Sequence, residues 1–226
     1  VDRIEIARAR DAHGELTLAL RGDVLELVVD GVFAMDSAQT STERELARVA
    51  LDLLTGTDPV TGGRGGLQVL VGGLGLGCTA RTLLDSPAVG AVEVVELHPA
   101  LVDWAHQGLL PELPDADPRL TLTVGDVLDV VPRRTGLDAV LLDVDNGPDF
   151  LVHTGNAAVY GSPFLAAACA ALAPGGVLAV WSADRSPTLQ RTLEAVAGGC
   201  SEVLLEVTRA ARTFTYALYL AVRPAR

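Results

Sequence analysis

The residues best placed for chemistry in this 226-residue chain are acids that close apolar runs. Glu96 follows Ala91 to Val95, Asp126 follows Leu120 to Gly125, and Asp143 follows Leu137 to Leu142, with Asp145 and Asn146 just beyond. In an open parallel sheet, ligands bind outside the carboxyl ends of the strands, so these side chains are expected on one edge. A carboxylate at the end of a second strand can accept both hydroxyls of a ribose, which assigns that part to Glu96. Two carboxylates and an amide then crowd the same edge at positions 143 to 146.

The element that must hold a nucleoside there is the stretch from Leu67 to Glu96. Gln68 to Val71 reads as a buried strand, and Gly72-Gly73-Leu74-Gly75-Leu76-Gly77 follows at once. Gly73, Gly75 and Gly77 let the backbone turn tightly and approach a ligand with no Cβ in the way. Cys78 to Leu84 reads as a helix whose N-terminal N–H groups face whatever lies over the glycines. Together these residues form a nucleoside-binding βαβ unit.

The remaining pattern surrounds that unit. Residues 1 to 35 alternate as antiparallel strands, with Leu16, Leu18 and Leu20 answered by Leu25, Leu27 and Val29, and with Val32 to Met35 as a further short strand. Thr42 to Glu45 has the form of a capping box, with Thr42 as N-cap of a helix that buries Leu46, Val49, Ala50, Leu53 and Leu54 and runs to about Leu54. Residues 56 to 66, rich in Gly, Thr, Pro and Asp, read as a linker. Pro99 opens a helix that stops near Gly108, and a short helix carries Val127, Leu128 and Val131. Residues 155 to 172 read as one helix ended by Ala173-Pro174-Gly175-Gly176, before a fifth strand from Val177 to Trp181. Pro187 to Ala197 is the last helix, and Ser201 to Val207 with Phe214 to Val222 form an antiparallel close. The expected fold is α/β: a Rossmann-like, mostly parallel sheet with helices on both faces and an antiparallel C-terminal strand, plus a small N-terminal β-element. The division is 1–55 for the N-terminal strands and helix and 67–226 for the nucleoside-binding domain.

Composition narrows the function. A net charge of −12 with only 17 basic residues, all arginine, argues against a nucleic-acid partner. No apolar run approaches the ~20 residues of a membrane-spanning helix, and Val1 opens directly into charged sequence, so a soluble cytoplasmic chain is expected. Cys78, Cys169 and Cys200 are scattered and read as small buried hydrophobes. His13, His98, His106 and His153 share no metal-ligand spacing and read as surface or capping residues; no metal is expected. Tyr160 and Trp181 fall near the ligand edge and are candidates to line an acceptor pocket, against the commoner role of aromatics that simply pack. The loop from 147 to 155, with Asp149 and His153, is the segment expected to order over a ligand. A serine-nucleophile site is excluded because the chain has no Gly-x-Ser-x-Gly elbow.

With the glycine turn, Glu96, Gly125-Asp126, the acidic turn at Asp143 and the Ala-Pro-Gly-Gly turn in this order, residues 67 to 222 resemble the class I S-adenosylmethionine-dependent methyltransferases. The N-terminal β-element, Asp30-Gly31 and Asp143-x-x-x-Gly-Pro extend the resemblance to the spermidine synthase family of aminopropyltransferases. The resemblance implies that Glu96 binds the ribose hydroxyls, that Asp126 with Val127 holds the adenine, that Asp143 is the general base for an attacking amine, and that the protein is a homodimer. It also marks departures: Ala34 and Glu43 stand where the family has Gln and Tyr, Leu76 where it has the Asp that reads the aminopropyl ammonium, and Asn146 where it has a second Asp, while Glu45 matches a retained Glu. Glu43, Asp145, Asn146 and Tyr160 are the candidate acceptor-binding residues.

The reading that follows is a transferase that uses S-adenosylmethionine or its decarboxylated form to alkylate a small nucleophile. Because amine-facing positions are the ones replaced, methyl transfer is slightly preferred over aminopropyl transfer. A non-catalytic nucleoside-binding module and a nicotinamide-dinucleotide oxidoreductase are the rivals; the second is opposed by Asp126, Asp143 and the short chain.

Overall fold

A computed structural model describes residues 2–56, 65–114, 116–144, 147–148, 154–209 and 212–224. Four strands, β1 (Arg3–Asp11), β2 (Gly14–Arg21), β3 (Val24–Val29) and β4 (Val32–Asp36), form an antiparallel meander. Alternation sets its faces: Leu16 and Leu18 of β2 and Leu27 of β3 are buried. Asp30 and Gly31 both have positive φ, 49° and 78°, as a tight hairpin turn requires. Ile4, Ile6, Val32 and Phe33 on the two edge strands are exposed.

Helix α1 (Ser41–Thr55) begins two residues earlier than the capping-box pattern suggests, and its N-cap is Thr40, with no side-chain cap bond. Thr42 is buried inside the first turn and its hydroxyl donates to Glu43 Oε2 at 2.6 Å, so it cannot cap. The buried face of α1 runs through Leu46, Ala47 and Ala50, whereas Leu53 is 50% exposed. A helix stripe three or four residues wide has room for one of two adjacent leucines at its end, and packing against α2 and β9 selects the other.

The main sheet contains β5 (Leu67–Gly72), β6 (Val89–Glu96), β7 (Leu120–Val124), β8 (Leu137–Leu142), β9 (Leu172–Ser182), β10 (Ser201–Arg209) and β11 (Arg212–Val222) in the order β10-β11-β9-β8-β5-β6-β7. The pairs from β9 to β7 are parallel, and β11 runs antiparallel to both β9 and β10. Side chains of these strands alternate between two cores. Val69, Val71, Val92, Val94, Ala139 and Leu141 join α1, α2 (Cys78–Leu84), α3 (Pro99–His106) and Leu16, Leu18, Leu25 and Leu27 of the N-terminal meander on one face. Leu70, Val140, Leu142, Leu178 and Val180 join α4 (Val127–Val130), α5 (Ser162–Ala171) and α6 (Pro187–Ala197) on the other. The first core therefore runs unbroken from the meander into the main sheet.

Two boundaries differ from the sequence pattern. The helix expected over 155 to 172 is broken at Gly161 into a 3-10 segment, Thr154–Tyr160, and α5, which has proline in its first turn. Proline has no N–H to donate and its ring clashes with the carbonyl four residues back, so Pro163 fits the first turn of a new helix and cannot continue an old one. The Ala-Pro-Gly-Gly turn lies inside β9, where the pairing with β8 slips between Leu137 and Ala139. Gly175, at φ 79°, bonds through its N–H to the carbonyl of Arg223, which makes the turn an irregularity in an extended strand.

Candidate active site

The C-terminal ends of β5, β6, β7, β8 and β9 open on one cavity, and the meander covers it. Gly73, Gly75, Glu96, Asp126, Val127, Asp143, Glu43 and Trp181 all line it, as do Leu16, Leu27, Val29, Ala34 and Met35 from the meander. Of the expected nucleoside-facing positions, Gly77 alone is elsewhere. It takes φ 89° as the N-cap of α2, and a Cβ there would meet Leu113 at 2.6 Å. Gly73 shows why the turn demands glycine: its φ is 92°, and a Cβ would lie 2.1 Å from the Asp143 carbonyl oxygen. The turn is thereby pressed against the backbone that carries Asp143.

Glu96 is 6% exposed, and both of its oxygens are held by backbone: Oε2 accepts from the Leu74 N–H and Oε1 from the His98 N–H, each at 2.9 Å. Burial pushes its carboxyl above the ordinary range, against the pull of those N–H groups. Asp126 is the N-cap of α4, and its Oδ1 accepts from the Leu128 N–H at 2.8 Å. The Glu96 and Asp126 side of the cavity is thus fixed by main-chain bonds within the βαβ region and the strand that follows.

The opposite side is assembled from separated segments. Thr79, in the first turn of α2, donates its hydroxyl to Asp143 Oδ2 at 2.9 Å and lies 3.3 Å from the Glu43 carbonyl oxygen. Burial, and then the neighbouring Glu43 carboxylate, push the Asp143 carboxyl up to about 7, while the Thr79 bond opposes the shift. An acid poised at that value exchanges a proton near neutral pH, as a general base must. Leu142 pairs with Val180, so Asp143 and Trp181 follow side by side at the ends of neighbouring strands. Trp181 is 9% exposed, its ring packs on Tyr216 with centroids 5.4 Å apart, and its indole N–H meets no acceptor among the described residues. Cys78 also lines the cavity, and burial pushes its thiol up to about 12, so it is inert as a nucleophile.

Several expected positions lie elsewhere. Leu76 is buried in the core and absent from the cavity lining; its N–H faces Met35 Sδ at 3.3 Å. Tyr160 is buried in the core beneath α5 and also stands outside the lining. The break at Gly161 turns its segment toward that core. Glu45 pairs with Arg48 across one helical turn. Asp145, Asn146, Asp149 and His153 lie outside the described residues. His98, read from sequence as a surface or capping residue, is buried, lines the cavity, and bonds through Nδ1 to Asp11 Oδ2 at 3.0 Å. Asn156 lines the cavity as well. His98 stands two residues past Glu96 as the N-cap of α3, so the strand end itself places it at the cavity, and only its partner Asp11 comes from a distant strand. Among the described residues no group of three His, Cys, Asp or Glu side chains could hold a metal ion, and no helix is long and apolar enough to cross a membrane.

Comparison with known proteins agrees with this geometry. No family model matches the chain. It is 32% identical over 184 residues to the polyamine aminopropyltransferases of Mycobacterium tuberculosis and Mycobacterium bovis, an alignment that covers 77% of this chain and 32% of the relative. The chain thus spans about a third of the length of the curated relatives it matches. In fold it is similar to a spermidine synthase solved with the transition-state analogue AdoDATO, with a TM-score of 0.81 at 17% identity over 99% of this chain and 75% of that one. Spermidine synthase from Thermotoga maritima gives 0.77 at 17% identity, covering 99% and 73%. Human methyltransferase-like protein 13 in complex with SAH gives 0.59 at 20% identity, covering 82% and 84%. In sequence the chain is similar to polyamine aminopropyltransferases, and its fold is similar to those of spermidine synthases and of a methyltransferase-like protein.

Proposed function

We propose that this chain is the transferase portion of a spermidine synthase-like enzyme that takes decarboxylated S-adenosylmethionine and moves its aminopropyl group to an amine. The observation that carries this reading is the charge of the cavity. Among the described lining residues there are four carboxylates, Glu43, Glu96, Asp126 and Asp143, and no arginine. The decarboxylated donor brings a sulfonium and an ammonium to that lining. S-adenosylmethionine adds a carboxylate, and a dinucleotide adds a pyrophosphate, each of which would face anions in a partly desolvated space. The slight preference for methyl transfer that the replaced positions suggest finds no support in the relatives, whose names point to aminopropyl transfer. Of the four replaced positions, Leu76 does not reach the cavity, Ala34 and Glu43 line it, and Asn146 lies outside the described residues.

In this mechanism Glu96 accepts the ribose hydroxyls with the lone pairs its backbone partners leave, and Asp126 with the Val127 N–H reads the adenine edge. The neutral acceptor nitrogen attacks the carbon bonded to sulfur. As the new C–N bond forms, the C–S pair passes to sulfur, which leaves as the neutral thioether methylthioadenosine. The resulting secondary ammonium gives its extra proton to Asp143, which Thr79 holds in place. The sulfonium supplies the leaving group, so the protein's work is alignment, exclusion of water and acceptance of that proton.

Parallel calorimetric titrations with decarboxylated S-adenosylmethionine, S-adenosylmethionine, methylthioadenosine and NAD test the reading. The decarboxylated donor is expected to bind most tightly, methylthioadenosine next, and NAD not at all. Tighter binding of S-adenosylmethionine would return the choice to methyl transfer.

A further inference from the structure

His98 is a buried titratable residue that the transfer mechanism does not use, and its side chain takes an uncommon direction. It is the N-cap of α3, where a polar side chain commonly turns back to accept from an N–H of the first helical turn, yet it makes no such bond. Its ring turns instead to the meander and bonds through Nδ1 to Asp11 Oδ2 at 3.0 Å. Asp11 is fixed in turn at the end of β1. Its Oδ1 accepts from the His13 N–H at 2.7 Å, and the His13 ring stands edge-on to the His98 ring with centroids 6.0 Å apart. Burial pushes the Asp11 acid up, but the His13 N–H and the His98 ring together hold it below the ordinary range. An ionised carboxylate only accepts, so Nδ1 of His98 carries the proton of this bond. The backbone of the same residue serves the sheet: the His98 N–H donates to Glu96 Oε1 at 2.9 Å, and both residues are buried. Three bonds thus run in series, from the β1–β2 turn through Asp11 and His98 to the acid that closes β6. Asp11 and His13 themselves stand outside the cavity lining.

Resting on the reading that Glu96 binds the ribose, we propose that Asp11 is a positioning residue for the nucleoside: it acts through His98 on Glu96, so the N-terminal meander sets the affinity of a site on the main sheet. Asp11 fixes the ring, the ring fixes where residue 98 leaves β6, and the N–H of that residue fixes the rotation of the Glu96 carboxylate. A carboxylate that accepts two ribose hydroxyls must keep its remaining lone pairs aimed at both, and a shifted backbone partner lets it turn about its terminal bond. The coupling is reciprocal, because a contact that raises nucleoside affinity is itself strengthened when the nucleoside binds. Seating of the meander and nucleoside binding therefore favour each other.

A double-mutant cycle read by calorimetry with methylthioadenosine tests the inference. Asp11→Ala is expected to weaken binding by about threefold to tenfold, the size of one hydrogen bond. Asp11→Asn keeps one acceptor for two donors and should fall between Asp11→Ala and the parent. In a Glu96→Gln background Asp11→Ala should cost less than about twofold, because the group through which it acts is already altered. A purely structural role for Asp11 would give the same loss in both backgrounds, and that result overturns the inference, as does an Asp11→Ala protein that binds like the parent. On the unaltered protein, exchange of the His13 amide hydrogen should slow when methylthioadenosine is bound. An unchanged rate overturns the inference whether or not the variants fold. Failure of the unaltered protein to bind methylthioadenosine would show as a separate result, and would remove the transferase reading and this inference with it.

Discussion

The two sides of the cavity are built in opposite ways. On the side proposed for the nucleoside, Glu96 sits in a short stretch of chain and has both oxygens bonded by backbone N–H groups. On the side proposed for the acceptor, Asp143 has one hydroxyl partner and a carboxylate neighbour, and its acid is pushed up to about 7. Glu96 is buried and Asp143 half-buried on the cavity wall, yet burial raises the acid of both, so burial alone does not distinguish them. Main-chain donors hold Glu96 rigid for binding, while the unfavourable neighbourhood of Asp143 leaves it ready to take a proton. Rigidity suits a group that recognises; a poised pKa suits one that reacts.

Removing the reactive member should give the largest effect. Asp143→Asn is expected to lower turnover by about a hundredfold to ten-thousandfold, the usual range for loss of a general base, while methylthioadenosine affinity moves little. The same variant should be more stable than the parent. A carboxyl whose pKa rises on folding binds its proton more tightly in the folded state, so its ionisation weakens the fold progressively as pH climbs from about 4 to about 7. The gain in melting temperature for Asp143→Asn should therefore be greater at pH 8 than at pH 5. An equal gain at both would mean that Asp143 is not raised.

The recognising member comes next. Glu96→Gln places an amide NH2 against either the Leu74 or the His98 N–H and loses the charge, so nucleoside affinity should fall by about 1.5 to 3 kcal/mol, roughly tenfold to 150-fold. Calorimetry with methylthioadenosine measures it. If Asp143→Asn lost as much nucleoside affinity as Glu96→Gln, the division of labour between the two sides would collapse.

The smallest effect sharpens the comparison most. kcat/KM should rise with pH through about 7 as Asp143 ionises in the empty site. Glu43→Gln removes a like charge, which should move that inflection to lower pH by a fraction of a unit to about one unit. An inflection that stays in place would mean that burial alone sets the Asp143 proton.

What could be read from the sequence follows the same division. The spans of α2, β7, β8 and α6 and the positions of Gly73, Glu96, Asp126 and Asp143 are legible because each depends on local rules: apolar runs of strand length, glycines at positive φ, and an acid where a run ends. Those rules act within a few residues, and the sheet edge then gathers their products automatically. They fail where a neighbour distant in sequence decides. Thr42 has the composition of a cap, yet packing buries it; Leu53 continues a helical stripe, yet α2 and β9 leave it in solvent.

The chain by itself determined an α/β fold with a glycine-turn βαβ unit and the acids that close its strands, because periodicity and turn chemistry are written residue by residue. Only tertiary structure decided which side chains meet. It turned Leu76 away from the cavity, buried Tyr160 elsewhere, brought His98 to Asp11, and set Glu43, Thr79, Asp143 and Trp181 together from four separate elements. Such contacts depend on register between strands and on the depth to which helices pack, quantities that no short window of sequence contains.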